Sequence, residues 1–89
     1  MINYMNEGKN FREQIKAVVY EFMQKSGDCA VNAKGMKTAE IFRQCGLDWG
    51  EYENSTSSNQ QYWLVALLRE LEKESKIQRD LVTKLWRVK

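Results

Sequence analysis

The sequence predicts a small α+β domain in which three helices are followed by a C-terminal β-hairpin. Three observations carry that expectation. Apolar residues recur at helical spacing over residues 10–26, 38–45 and 58–75. Residues 85–88 alternate instead, with Trp86 and Val88 on one face and Arg87 and Lys89 on the other, which is the period of a strand. The chain has 89 residues and 43% hydrophobic content, enough for one core and too little for two.

The first helix, residues 10–26, carries Phe11, Ile15, Val18, Val19, Phe22 and Met23 as its apolar positions, with Arg12, Glu13, Lys16, Glu21 and Lys25 between them. Asn10 is its expected N-cap, with Glu13 placed to reach back as a capping box, and Gly27 supplies the left-handed residue that ends it. Residues 1–9 read as an N-terminal extension and 10–89 as the domain. A loop with a short extended piece near Met36 leads to Thr38, the expected cap of a second helix. Its inward positions are Ile41, Phe42 and Cys45, and it ends at Gly46. So short a helix must be held by packing.

Residues 47–58 show no periodicity and read as a loop. They hold Asp48, Glu51 and Glu53, no lysine or arginine, and the aromatics Trp49 and Tyr52. The third helix, 58–75, places Leu64, Leu67, Leu68 and Leu71 on one stripe. After it, Ile77 begins an extended segment that returns through residues 80–84 to Trp86, a β-hairpin. Trp86 is expected in the core, and Trp63 at the edge of the leucine stripe.

Composition narrows function. The chain holds no histidine, so Ser-His-Asp and Cys-His arrangements cannot be built, and its two cysteines cannot complete a zinc site. Cys29 and Cys45 are expected as buried thiols. Asp48, Glu51 and Glu53 form the only carboxylate cluster, and a flexible acidic loop is its plainer account; enzymatic activity, a cofactor and a metal are not expected. No apolar run is long enough to cross a bilayer, and the polar start carries no export signal, so a cytoplasmic protein is expected. The net charge is only +2, but its distribution is uneven. From Lys76 onward the chain holds Lys76, Arg79, Lys84, Arg87 and Lys89 against Asp80 alone.

Two segments carry a likeness to a known fold. They are Met36-Lys37-Thr38-Ala39-Glu40-Ile41, an extended piece entering the second helix, and Leu67-Leu68-Arg69-Glu70-Leu71-Glu72-Lys73-Glu74-Ser75-Lys76-Ile77-Gln78-Arg79, a helix running into a hairpin. With the closing Leu85-Trp86-Arg87-Val88, the chain resembles the winged helix-turn-helix fold over residues 10–89. It departs from that pattern in the long connection 47–58 and in lacking a glycine at the tip of the wing. The long connection is similar to that in the amino-terminal winged helix of some restriction endonucleases that cleave methylated DNA.

The resemblance implies double-stranded DNA binding, with the third helix in the major groove and the hairpin as a wing on the backbone or minor groove. With the leucines inward, the opposite face of the third helix collects Asn59, Tyr62, Ala66, Arg69 and Lys73, flanked by Gln61. Asn and Arg pair bidentately with adenine and guanine, so Asn59, Gln61, Tyr62, Arg69 and Lys73 are the candidate base contacts. Lys37, Arg43, Lys76, Arg79, Lys84 and Arg87 are the candidate phosphate contacts. Glu70, Glu72 and Glu74 on the same helix would repel phosphate unless they point aside or pair with Lys73 and Arg69. A DNA-binding chain of this size suits a small transcription regulator or the recognition module of a larger system, with a homodimer or a larger protein partner adding specificity. The alternative is a protein-interaction winged helix, an adaptor or inhibitor, whose contact surface is Trp49, Tyr52, Glu51 and Glu53.

Overall fold

A computed structural model describes residues 2–47 and 62–89 of the chain. Helix α1 (Tyr4–Lys25) is followed by a 3-10 turn (Gly27–Cys29), helix α2 (Thr38–Gln44), helix α3 (Tyr62–Lys73) and strands β1 (Ile77–Arg79) and β2 (Trp86–Val88). Among the described residues it is a mixed α+β arrangement of three helices and an antiparallel two-stranded hairpin, the coarse class that the hydrophobic periodicities predict.

Helix α1 starts earlier than expected. Asn3, not Asn10, is the N-cap: its side-chain oxygen accepts the N–H of Asn6 at 3.1 Å. Asn10 lies within the helix, and Glu13 turns to Lys16 instead of completing a capping box. Asn10 has the fuller capping signal, with Glu13 three residues on, but residues 4–9 carry the backbone hydrogen-bond ladder outward to Asn3, all of them exposed. At the other end Ser26 terminates α1 in an extended conformation, and Gly27 opens the 3-10 turn rather than supplying a left-handed cap.

Two helices end in the same hydrogen-bonded motif. After α2, Leu47 N–H donates to the Phe42 carbonyl at 2.9 Å and Gly46 N–H to Arg43 at 3.1 Å, with Gly46 at φ 69°. After α3, Lys76 N–H donates to Leu71 at 3.1 Å and Ser75 N–H to Glu72 at 3.0 Å, with Ser75 at φ 62°. These are Schellman caps, and the second places a residue with a Cβ where glycine is favoured. Helix α3 therefore closes at Lys73, two residues short of the expected end.

The hairpin pairs Ile77 with Val88, Gln78 with Arg87 and Arg79 with Trp86. Met36 forms a β-bridge to the free edge of β2: Met36 N–H donates to the Trp86 carbonyl at 2.8 Å and Trp86 N–H to the Met36 carbonyl at 2.9 Å. The expected extended piece near Met36 is thus one residue pair long. Gly35 permits this approach. Its φ is 98°, and a Cβ there would lie 2.9 Å from Leu85 Cβ and 3.0 Å from the Trp86 carbonyl oxygen.

The core consists of Val19 and Met23 from α1, Cys29, Ile41 and Phe42 from α2, Leu64, Leu67, Leu68 and Leu71 from α3, Ile77 and Trp86. The leucine stripe and Trp86 are where the alternation and helical spacing put them. On α1 the expected stripe is turned. Phe11 and Val18 are 58% and 53% exposed, whereas Lys16, Val19 and Met23 face inward. Cys29 is buried, Cys45 half-buried, and both are free thiols whose pKa is pushed up by burial.

Candidate nucleic-acid interface

Lys16 is the charge around which the candidate surface is organised. Its side chain is only 6% exposed, since it shares the inward face of α1 with Val19 and Met23. A buried ammonium has to be paired. Lys16 Nζ reaches Glu74 Oε2 at 2.6 Å, Glu70 Oε1 at 3.1 Å and Glu13 Oε1 at 3.3 Å. The Glu74 hydrogen bond raises the Lys16 pKa above the ordinary lysine value against the opposing effect of desolvation, with Glu70 and Glu13 adding to the rise. Lys16, foremost, and Lys76, at 3.2 Å, hold the Glu74 carboxyl below the ordinary range. Arg12 approaches Glu70 at 4.0 Å.

Two of the three glutamates expected to repel phosphate, Glu70 and Glu74, therefore point toward α1, and Glu72 forms no ion pair among the described residues. The partners differ from those expected from sequence: Lys16 and Arg12 bind the first two, while Arg69 and Lys73 form no ion pair among the described residues. A signal for this was present in the spacing. Lys16, Val19 and Met23 stand at i, i+3 and i+7, and Glu70 and Glu74 at i and i+4, one stripe on each helix.

Arg69 and Lys73 are both exposed on α3 and lie one turn apart, as the helical wheel requires. Tyr62 opens the helix. Ala66 is exposed too, but it borders the groove between α3 and α1 with Phe11, Ile15, Trp63 and Glu70, an apolar cavity of about 400 Å³. It belongs to the flank of the outer face. Trp63 itself is 41% exposed and packs its ring on Phe42, centroids 5.1 Å apart. Asn59 and Gln61, and the alternative contact residues Trp49, Glu51, Tyr52 and Glu53, lie outside the described residues.

The expected phosphate contacts divide by how far their charge is already engaged. Lys37, the N-cap of α2, and Lys84, at the turn of the hairpin, are exposed and form no ion pair among the described residues. Arg43 is exposed but bonded to Glu40 on its own helix. Lys76 is exposed, pairs with Glu74 and lies over the Tyr20 ring at 5.4 Å. Arg79 stacks over the Trp86 ring at 5.2 Å and its Nε donates to the Lys84 carbonyl at 3.3 Å. Arg87 stands 3.8 Å from Asp80. Arg79 and Arg87 are half-buried, because pairing across the hairpin puts long side chains against their neighbours.

Asp80 is the one acid of the hairpin. Its carboxyl accepts the N–H groups of Thr83 at 2.9 Å and Val82 at 2.8 Å, and these hydrogen bonds hold it below its ordinary range. Its charge is spent on the turn. Among the described residues no helix is long and apolar enough to cross a membrane, and no group of three or more Cys, Asp or Glu side chains is placed to hold a metal ion. Compared with known proteins, the chain matches no family model, no curated protein and no solved structure.

Proposed function

We propose that the chain is a winged-helix domain that binds double-stranded DNA, with α3 in the major groove and β1–β2 as the wing. The observation that carries this reading is the capture of Glu70 and Glu74 by Lys16, which turns two of the three glutamates aside; Arg69 and Lys73 stay exposed, and Glu72, half-buried, is the one of the three that forms no ion pair among the described residues. Phosphate repulsion was the main physical objection to this helix as a DNA reader. The order of elements supports the same reading: helix, a bridge at Met36, helix, helix, hairpin.

In this reading Arg69 and Lys73, together with Asn59, Gln61 and Tyr62, meet base edges. Lys37 and Lys84 contact phosphate first, and Lys76, Arg79, Arg87 and Arg43 join as their present partners are exchanged for phosphate oxygens. The protein acts in the cytoplasm as a small regulator or as the recognition module of a larger assembly, and a homodimer or second protein supplies the added contact area that one module lacks.

The test is a titration of the purified protein against a labelled mixed-sequence duplex at low and at physiological salt, with its mass in solution recorded alongside. Binding is expected to weaken linearly in log–log form with added salt, with a slope of about 0.9 per phosphate contact. Arg69→Ala is expected to weaken it about five- to hundred-fold. Absence of binding at low salt overturns the reading and directs the search to a protein partner of the loop that contains Trp49 and Tyr52.

A further inference from the structure

The turn of the hairpin runs Asp80-Leu81-Val82-Thr83-Lys84. Leu81 and Val82, at its tip, are 84% and 90% exposed, more than any other large apolar side chain among the described residues. Neighbours in the chain and both almost fully exposed, they put aliphatic surface at the tip of the hairpin.

The tip sits on a braced support. Asp80 Oδ1 accepts the N–H groups of Val82 and Thr83, the Asp80 carbonyl accepts Lys84 N–H at 2.8 Å, and Asp80 N–H donates to the Leu85 carbonyl at 2.9 Å. Thr83 Oγ1 accepts Leu85 N–H at 3.3 Å. Polar Asp80 and Thr83 build the turn, Lys84 takes the left-handed position at φ 65°, and neither Leu81 nor Val82 contributes a side-chain bond to it. Around the tip the unspent charge is positive: Asp80 is tied up by backbone N–H groups and Arg87, while Lys84 is exposed and Arg79 lies one residue below the turn.

We propose that Leu81 and Val82 enter the minor groove of duplex DNA as an apolar wedge, partly unstacking a base step, while Lys84 and Arg79 grip the flanking phosphates. Apolar side chains inserted from the minor groove kink a duplex, and flexible pyrimidine–purine steps yield most readily. This proposal rests on the DNA-binding reading above and goes beyond it in assigning the tip a deforming role. Duplex DNA is favoured over an anionic bilayer as the occupant because the two cations beside the tip, exposed Lys84 and half-buried Arg79, are too few to hold a two-residue anchor at a membrane, whereas on the proposed reading α3 already holds the duplex beside the hairpin.

The experiment uses the whole chain and an AT-rich duplex labelled at both ends for energy transfer, with 2-aminopurine at its TA steps. Wild type is expected to raise both the transfer efficiency and the 2-aminopurine fluorescence on binding. Leu81→Ser/Val82→Ser, which keeps every charge and turn bond, is expected to bind with an unchanged salt slope but to lose both signals, with affinity down about tenfold. Arg69→Ala is expected to bind more weakly while retaining the signals at saturation. If wild type binds the duplex with neither signal, or the double variant keeps them, the wedge is overturned and the DNA-binding reading stands. If wild type binds no duplex at low salt, both fall together. Co-sedimentation with phosphatidylglycerol vesicles that is lost in the double variant, while duplex bending persists there, would assign the tip to a membrane and overturn the wedge.

Discussion

The indole N–H of Trp86 donates to the hydroxyl of Thr38, 3.0 Å away, in the interior of the domain. The bond ties the last strand to the first turn of α2, and it explains why Thr38 is not the N-cap expected of it. Lys37 takes the cap position without a side-chain bond, and Thr38 becomes the first helical residue with its hydroxyl turned to the core. A buried tryptophan needs a partner for its polar edge, and the threonine serves that need before its own helix.

Thr38→Val keeps the shape and removes the acceptor. The buried indole N–H is then left without a partner, which is expected to cost about 1–3 kcal/mol in urea-induced unfolding. Thr38→Ser is expected to recover most of it. A double-mutant cycle with Trp86→Phe should show the two losses to be strongly non-additive.

Gly35→Ala places a Cβ 2.9 Å from Leu85 Cβ at a φ of 98°. Both the clash and the backbone conformation act against it, because the carbonyl of Trp86 is fixed by its bond from Met36. A loss of about 2–3 kcal/mol is expected, read by thermal or denaturant unfolding.

Ser75→Gly should act in the opposite direction. Ser75 holds the left-handed position of the cap of α3 at φ 62°, and a glycine there removes the steric cost of the Cβ. Stability is expected to rise by about 1 kcal/mol, with duplex binding unaffected.

Lys16→Met tests whether Lys16 supports the proposed DNA binding independently of folding. Methionine fills a similar apolar volume, and Glu70 and Glu74, 41% and 36% exposed, can return to solvent. The unfolding midpoint is expected to change little, while duplex affinity at low salt falls about tenfold as two unneutralised carboxylates return to α3. An unchanged affinity would show that the capture of these acids has no bearing on binding.

The pH dependence of stability follows from the same groups. Glu74 and Asp80 have folded pKa values below their ordinary 4.5 and 3.8, so their contribution is complete above those values and is lost as pH falls through the folded ones. Lys16 is shifted the other way: its contribution is complete below 10.5 and is lost only as pH rises through its higher folded value. Melting temperature is expected to stay level on account of these groups from about pH 5 to 10 and to fall below about pH 4. Glu74→Gln should flatten that acid limb.

Much of this architecture is legible in the residues themselves. The leucines of α3 are spaced so that a helix puts them on one side, and the alternation over residues 85–88, with Trp86 and Val88 on one face, has the period of a strand. Gly46 marks the end of α2 because it can take a positive φ, and the basic character of the hairpin is a matter of composition. These features depend on neighbours a few positions away in the chain.

What tertiary structure decided depends on partners far along it. Asn10, with Glu13 three residues on, carries the fuller capping signal, yet α1 runs out to Asn3. Phe11 and Lys16 look like core and surface, yet Phe11 stays 58% exposed and Lys16 is buried, because the core face of α1 is set by where α3 brings Glu70 and Glu74, 54 and 58 positions away. Thr38 likewise answers to Trp86 across 48 positions. Periodicity places a side chain on a face of its own helix, but only packing determines which face is inward and whether a buried charge finds its partner.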